Sequence, residues 1–289
     1  MALDQLATTE PEGGPKEMTF LEHLEELRWH LIRSAIAILA LSIIVFLAKD
    51  FVWHSVILAP TRLDFWTYEV LCIAGEWLES DGLCIQDLPF IIQNRKMTGQ
   101  FTTHITSSVL IGLILSFPYV FWEIWSFVGP GLYDKERKNT RGAVFFVSFL
   151  FMLGVLFGYY IISPLSVNFL SHYKVDANIL NEWELTNYIS TISMIVLATA
   201  ILFQLPMVVY VLTKAGLVTP QVMKKYRRHA IIGILILGAL LTPPDPISQI
   251  LIAIPLFGLY QVSIFISAAV LRKQQQKEQS LVKREKNES

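Results

Sequence analysis

Long apolar runs separated by short polar and basic stretches dominate the chain. Six of them stand out, at Ile32–Phe51, Thr106–Trp125, Ala143–Ser163, Tyr188–Leu212, Ala230–Leu241 and Ile247–Leu271. A helix needs about 20 apolar residues to cross the ~30 Å of hydrocarbon in a bilayer. All but the fifth meet that length; the fifth spans only ~18 Å as a helix. The pattern predicts an all-α, polytopic membrane protein with six transmembrane helices. Pro118, Pro164, Pro206 and Pro255 interrupt four of the runs. Each removes a backbone donor and crowds the preceding turn, so bends or breaks are expected there, and bent helices favour a concave bundle. Gly154 and Gly158 form a GxxxG pair that lets another helix approach the third run closely, most simply one of this chain's own.

Just before the first run, Met18–Arg33 reads MTFLEHLEELRWHLIR. At helical spacing Phe20, Leu24, Leu27 and Leu31 share one face, with Glu22, Glu25, Glu26 and Arg28 on the rest. Thr19 followed by Glu22 has the form of a capping box, which predicts a helix start there. The segment therefore holds carboxylates at the water boundary of the first span. A solvated helix end would also account for acids in that place. Residues 1–17 are polar and contain Pro11, Gly13, Gly14 and Pro15, and are read as a disordered tail with no cleavable signal sequence. Residues 18–271 form the membrane domain, and 272–289 a second polar tail.

Charge sets the orientation. The chain is 53% hydrophobic and only 16% charged, with a net charge of −1. Eighteen lysines and arginines fall on the side of the N-terminus and five on the other side. The positive-inside rule then places both termini in the cytoplasm. The first outer loop, about 52–105, is long and acidic and holds the only two cysteines, Cys72 and Cys84. In an oxidising compartment they can join in a disulfide; two free thiols are the alternative.

Catalytic and cofactor motifs are missing: there is no HExxH, GxSxG or Walker sequence, and the six histidines are scattered. An enzyme, a metal site, a cofactor and nucleic-acid binding are not expected. Three polar features remain. FVGPGLYDKERKNTR at 127–141 places Glu136 among basic residues after a Gly-Pro-Gly turn. TPPDPISQ at 242–249 offers Asp245 as a cap for the last helix, with Pro246 in its first turn. Gln204, two residues before Pro206, is an amide inside hydrocarbon and must face the bundle or a wet cavity. Binding a carbonyl freed by Pro206 is one use for it; a role in transport is another.

The motifs FLEHLEELR at 20–28, LAP at 58–60, FVGPGLYDKER at 127–137, FxLPM at 203–207 and LTPPDPISQILIAIPLFGLYQVSIF at 241–265 resemble the TatC family, the multispanning core of the twin-arginine protein translocase. The resemblance covers nearly the whole chain after the N-terminal tail. It implies a six-helix, cup-like bundle in the bacterial cytoplasmic membrane, binding of twin-arginine signal peptides of folded cargo, and use of the proton-motive force. It further implies an oligomeric complex with the single-span subunits TatA and TatB. Carried over by position, Glu26 and Glu136 match the acids that the family uses for the signal-peptide arginines. Arg28, Phe127, Pro130 and Arg137 match neighbouring positions, Pro60 an outer-loop position and Asp245 the outer turn. Gln204 matches a polar intramembrane position that is often Glu; an amide does not ionise. The cysteine-bearing loop departs from the family pattern. A secondary transporter of a small solute is the alternative reading, since kinked helices and Gln204 fit it loosely, but the spans lack repeats and are short of ionisable groups. A membrane scaffold is the third.

Overall fold

A computed structural model describes residues 20–77, 79, 84–128, 140–176, 178–241 and 246–288. Its helices are α1 (Phe20–Leu47), α2 (Trp66–Trp77), α3 (Gly99–Val128), α4 (Thr140–Phe157), α5 (Ser163–His172), α6 (Leu185–Leu202), α7 (Leu205–Lys214), α8 (Pro220–Lys225), α9 (Arg227–Leu241) and α10 (Pro246–Glu288). Among the described residues five helical stretches are long and apolar enough to cross a membrane. These are Leu24–Leu47, Gly99–Phe127, Val144–His172, Leu185–Lys214 and Ile252–Gln276. The short α9 is not one of them, in line with the brevity of the fifth apolar run.

The burial pattern is the inverse of a soluble protein's. On α1, Ile36, Leu39, Ile43, Ile44 and Leu47 are exposed while Ser34 and Ser42 are buried. Lipid tails are as apolar as leucine, so large side chains gain nothing by leaving them, and small residues take the interfaces. Packing follows from this. Gly112 of α3 lies against the Ser42 backbone, where an added Cβ would stand 2.8 Å from the Ser42 Cα. Gly154 of α4 and Gly158, the residue just after it ends, do the same against α6: a Cβ on Gly154 would meet the Ala200 Cα at 2.7 Å, and one on Gly158 the Val196 Cα at 3.0 Å. The GxxxG pair thus packs helices of one chain together. Ile114, Phe151, Val196 and Ala200 fill the seam between α3, α4 and α6.

The prolines divide into two groups. A π-helical turn at Gly158–Ile162 precedes Pro164 at the start of α5, and a break at Phe203–Gln204 precedes Pro206 at the start of α7. By contrast α3 and α10 run through Pro118 and Pro255 without a break. One missing amide bond does not end a long helix held on both sides of the proline.

The residues between α1 and α3 are organised. After a π-helical turn (Val52–Ile57) and a 3-10 turn (Ala59–Thr61), α2 leads to a strand, β1 (Phe90–Gln93). It pairs in parallel with β2 (Asn181–Glu184), Phe90 opposite Asn181 and Gln93 opposite Glu184. Phe90 stacks on Trp183 with ring centroids 4.0 Å apart. Arg95 pairs with Glu182, and Lys96 with Glu184 at 3.3 Å.

Candidate functional site

At one end of the bundle α1 and α3 share a polar cluster. Glu26 and His30 are one turn apart on α1, on the same face. Glu26 is half-buried, and the Arg28 guanidinium lies 6.0 Å from the centre of the Trp29 ring. One turn deeper, His30 Nδ1 bonds the Glu123 carboxylate of α3 at 2.5 Å. Glu123 is only 3% exposed, although it sits in an otherwise apolar helix. Its carboxylate also accepts from the Tyr119 hydroxyl, with Arg33 near enough to act on it electrostatically. A carboxylate has room for several donors, so this buried acid is well satisfied. His30 further meets the ring of Phe127 edge-on, centroids 6.1 Å apart. Through one imidazole, the helix that carries Glu26 is tied to the root of the segment that carries Glu136.

Of the residues singled out in the sequence, Glu26, Arg28 and Phe127 gather at this end. Pro130, Glu136, Arg137 and Asp245, like Thr19, lie outside the described residues. The apolar pattern does not single out Glu123 or His30, and the spans are less poor in ionisable groups than that pattern suggests. The available signal was an acid within the second run, four residues after Tyr119 and four before Phe127. Such intramembrane acids mark functional or structural polar networks.

Gln204 stands elsewhere, at the break between α6 and α7. Its backbone N–H bonds the Ile201 carbonyl and not that of Ala200, because the helix tightens there. The side-chain amide then donates to the Ala200 carbonyl at 3.5 Å and to the Val147 carbonyl of α4 at 3.4 Å. The amide thus serves a carbonyl that the break has released. Its Oε1 is buried without a partner among the described residues.

At the opposite end, Pro60 is fully buried in the 3-10 turn, and its carbonyl accepts from the Tyr68 hydroxyl at 2.8 Å. Burial pushes the Tyr68 hydroxyl well above its ordinary pKa, so it remains a donor. Two other tyrosines act alike: Tyr159 donates to the Val56 carbonyl at 2.7 Å and Tyr188 to the Ile57 carbonyl at 2.9 Å. Cys72 of α2 and Cys84 are joined in a disulfide. No group of three or more metal-ligating side chains occurs among the described residues.

The fold and the site define a multi-pass helical membrane protein whose buried polar groups bind its helices to one another and whose half-buried acid sits at one end. Residues 22–255 match the family model for the Sec-independent protein translocase protein (TatC), and the chain belongs to the TatC family. A Sec-independent protein translocase protein TatC of Blattabacterium sp. subsp. Periplaneta americana (strain BPLAN) is 40% identical over 89% of this chain and 97% of that protein. The TatCy protein of Bacillus subtilis (strain 168) is 31% identical over 90% of this chain and 92% of its own length. Two crystal structures described as the twin-arginine translocase receptor TatC are similar in fold. One has a TM-score of 0.62 at 32% identity, covering 86% of this chain and all of that one. The other, in DDM, has a TM-score of 0.65 at 31% identity, covering 85% and 99%. The chain is accordingly a component of a protein translocase and not an enzyme. The small-solute transporter is set aside.

Proposed function

We propose that this chain is the signal-peptide receptor and core of a twin-arginine translocase that exports folded proteins across a bacterial cytoplasmic membrane, driven by the proton-motive force. In this reading α9 completes six crossings, and both termini, with the tails at 1–17 and 272–289, lie in the cytoplasm. Eighteen of the 23 lysines and arginines then fall on that side. Single-span subunits of the TatA and TatB type complete an oligomeric complex. The observation that carries the reading is the link from α1 through His30 to Glu123 and Phe127, which holds the Glu26 helix beside the start of the 127–137 segment.

Glu26 and Glu136 receive the two arginines of the signal peptide. A guanidinium meets a carboxylate through two parallel hydrogen bonds and an ammonium does not, so a pair of acids selects arginine over lysine. Arg28, Phe127, Pro130 and Arg137 shape the surroundings of the two acids. Charge-assisted hydrogen bonds contribute ~1.5–3 kcal/mol each, and exposed ion pairs ~0–1 kcal/mol. Micromolar affinity needs about 8 kcal/mol. The acids therefore set specificity, and the peptide's apolar segment against the concave bundle supplies much of the affinity. Gln204 lines the intramembrane wall, and Pro60 and Asp245 shape the far side.

Crosslinking a twin-arginine signal peptide to the chain in membranes tests this. Strong crosslinking to the unaltered protein, lost with Glu26→Ala or Glu136→Ala, is expected. Equal crosslinking in both variants overturns the two-acid site.

A further inference from the structure

The helix that carries Cys72, α2, turns a stripe of large apolar side chains away from the protein. Trp66, Val70, Ile73 and Trp77 stand at positions i, i+4, i+7 and i+11 and are 41–88% exposed. At 3.6 residues per turn these four fall within an arc of ~60°. The opposite side of the helix is fastened down. Thr67 donates to the Tyr160 carbonyl, and the Tyr68 hydroxyl to the carbonyls of Pro60 at 2.8 Å and Pro164 at 3.1 Å. Gly75 is buried, and Cys72 is bonded to Cys84. The helix cannot turn its stripe inward without giving up these bonds.

The position of the stripe shows what meets it. Trp66 forms one wall of an apolar groove of about 790 Å³, with Leu153 and Leu156 of α4 and Val262 of α10 among the others. Those three are exposed residues of stretches long and apolar enough to cross the membrane, Val144–His172 and Ile252–Gln276. The Trp66 ring also meets that of Tyr160 edge-on, centroids 5.9 Å apart. The stripe therefore starts on the lipid-facing surface of the bundle and continues it along α2. A tryptophan closes each end, and indole rings favour the boundary between hydrocarbon and head groups. The charges of α2 are Glu69 and Glu76, both exposed, and both fall on the same flank of the stripe.

We propose that α2 lies along the lipid–water boundary on the disulfide-bearing side of the membrane, with Trp66, Val70, Ile73 and Trp77 sunk among the head groups and upper acyl chains and with Glu69 and Glu76 turned to water. Lacking lysine and arginine, the helix is held by buried apolar area and not by attraction to anionic lipid. The Tyr68 bonds and the disulfide fix its rotation so that the stripe faces lipid. The inference rests on the membrane-spanning fold and is independent of the signal-peptide reading.

The full chain in phosphatidylcholine vesicles, with p-benzoylphenylalanine replacing one residue at a time, tests the proposal. After irradiation, mass spectrometry of the α2 peptide is expected to find lipid adducts from probes at Val70, Ile73 and Trp77, and only traces from probes at Glu69 and Glu76. All five positions are exposed, and an intact Cys72–Cys84 bridge in the recovered peptides selects folded chains. Adding Ile73→Asp to the Trp77 probe is expected to lose its adduct, because a charge in the stripe opposes insertion. Lipid adducts missing at Val70 and Ile73, or equal at all five positions, overturn the proposal. Adducts to a second copy of the chain in place of lipid also overturn it, since the stripe would then be a protein interface.

Discussion

His30 holds two helices together with a single ring, bonding Glu123 on one side and packing against Phe127 on the other. Breaking a buried pair by removing one member leaves the other desolvated and alone, which costs about 3–5 kcal/mol. Glu123→Ala is therefore expected to destabilise the detergent-solubilised protein by about that much in chemical unfolding. His30→Gln combined with Glu123→Gln is expected to cost less than the two single changes added together, because residues in direct contact couple. Additive losses would show that the two side chains do not act as a pair. Glu26 and Phe127 were legible in the sequence because they sit in polar or turn-rich motifs at the ends of spans. Glu123 was not, since an apolar run surrounds it and its partner is 93 residues away. Gln204 was legible as an amide in hydrocarbon. The carbonyl it serves depends on where the helix breaks, which composition does not reveal.

Among the elements, the short one has the largest consequence. The 15 residues of α9 make a helix of about 22 Å, against ~30 Å of hydrocarbon. In the six-crossing arrangement proposed above, the bilayer thins beside it or a partner helix covers it. Hydrogen–deuterium exchange in lipid discs is expected to show slow exchange confined to Arg227–Leu241 between its flanking segments. Protection extending over a full spanning length would remove the reason for thinning. The brevity was readable from the apolar run itself, as were the long helices, because period and length are properties of the chain. The two strands were not. Four residues each, with Asn181–Glu184 reading NEWE, they carry no alternation strong enough to predict pairing across some 90 residues.

Taken whole, the molecule has two differently built ends. One gathers charged groups around Glu26 and His30, and the other is knitted from turns, a strand pair and the Cys72–Cys84 disulfide. A bridge closing a short loop contributes about 2–4 kcal/mol. Reduction is expected to slow the band in denaturing electrophoresis, and Cys72→Ser to lower the unfolding midpoint. Identical mobility with and without reductant would mean that the thiols are free in the membrane. Spacing alone left the bridge open, because it does not say whether α2 and the chain after it fold back on each other.

The irregular backbone of residues 56–60 has a consequence for how dry this end of the molecule stays. A buried carbonyl left without a donor is costly and draws water into the packing around it. Here Tyr159, Tyr188 and Tyr68, drawn from three separate elements, each occupy one of the oxygens of Val56, Ile57 and Pro60. This stretch can therefore depart from a helix and still leave none of these three oxygens bare, a dry seam in place of a leaking joint.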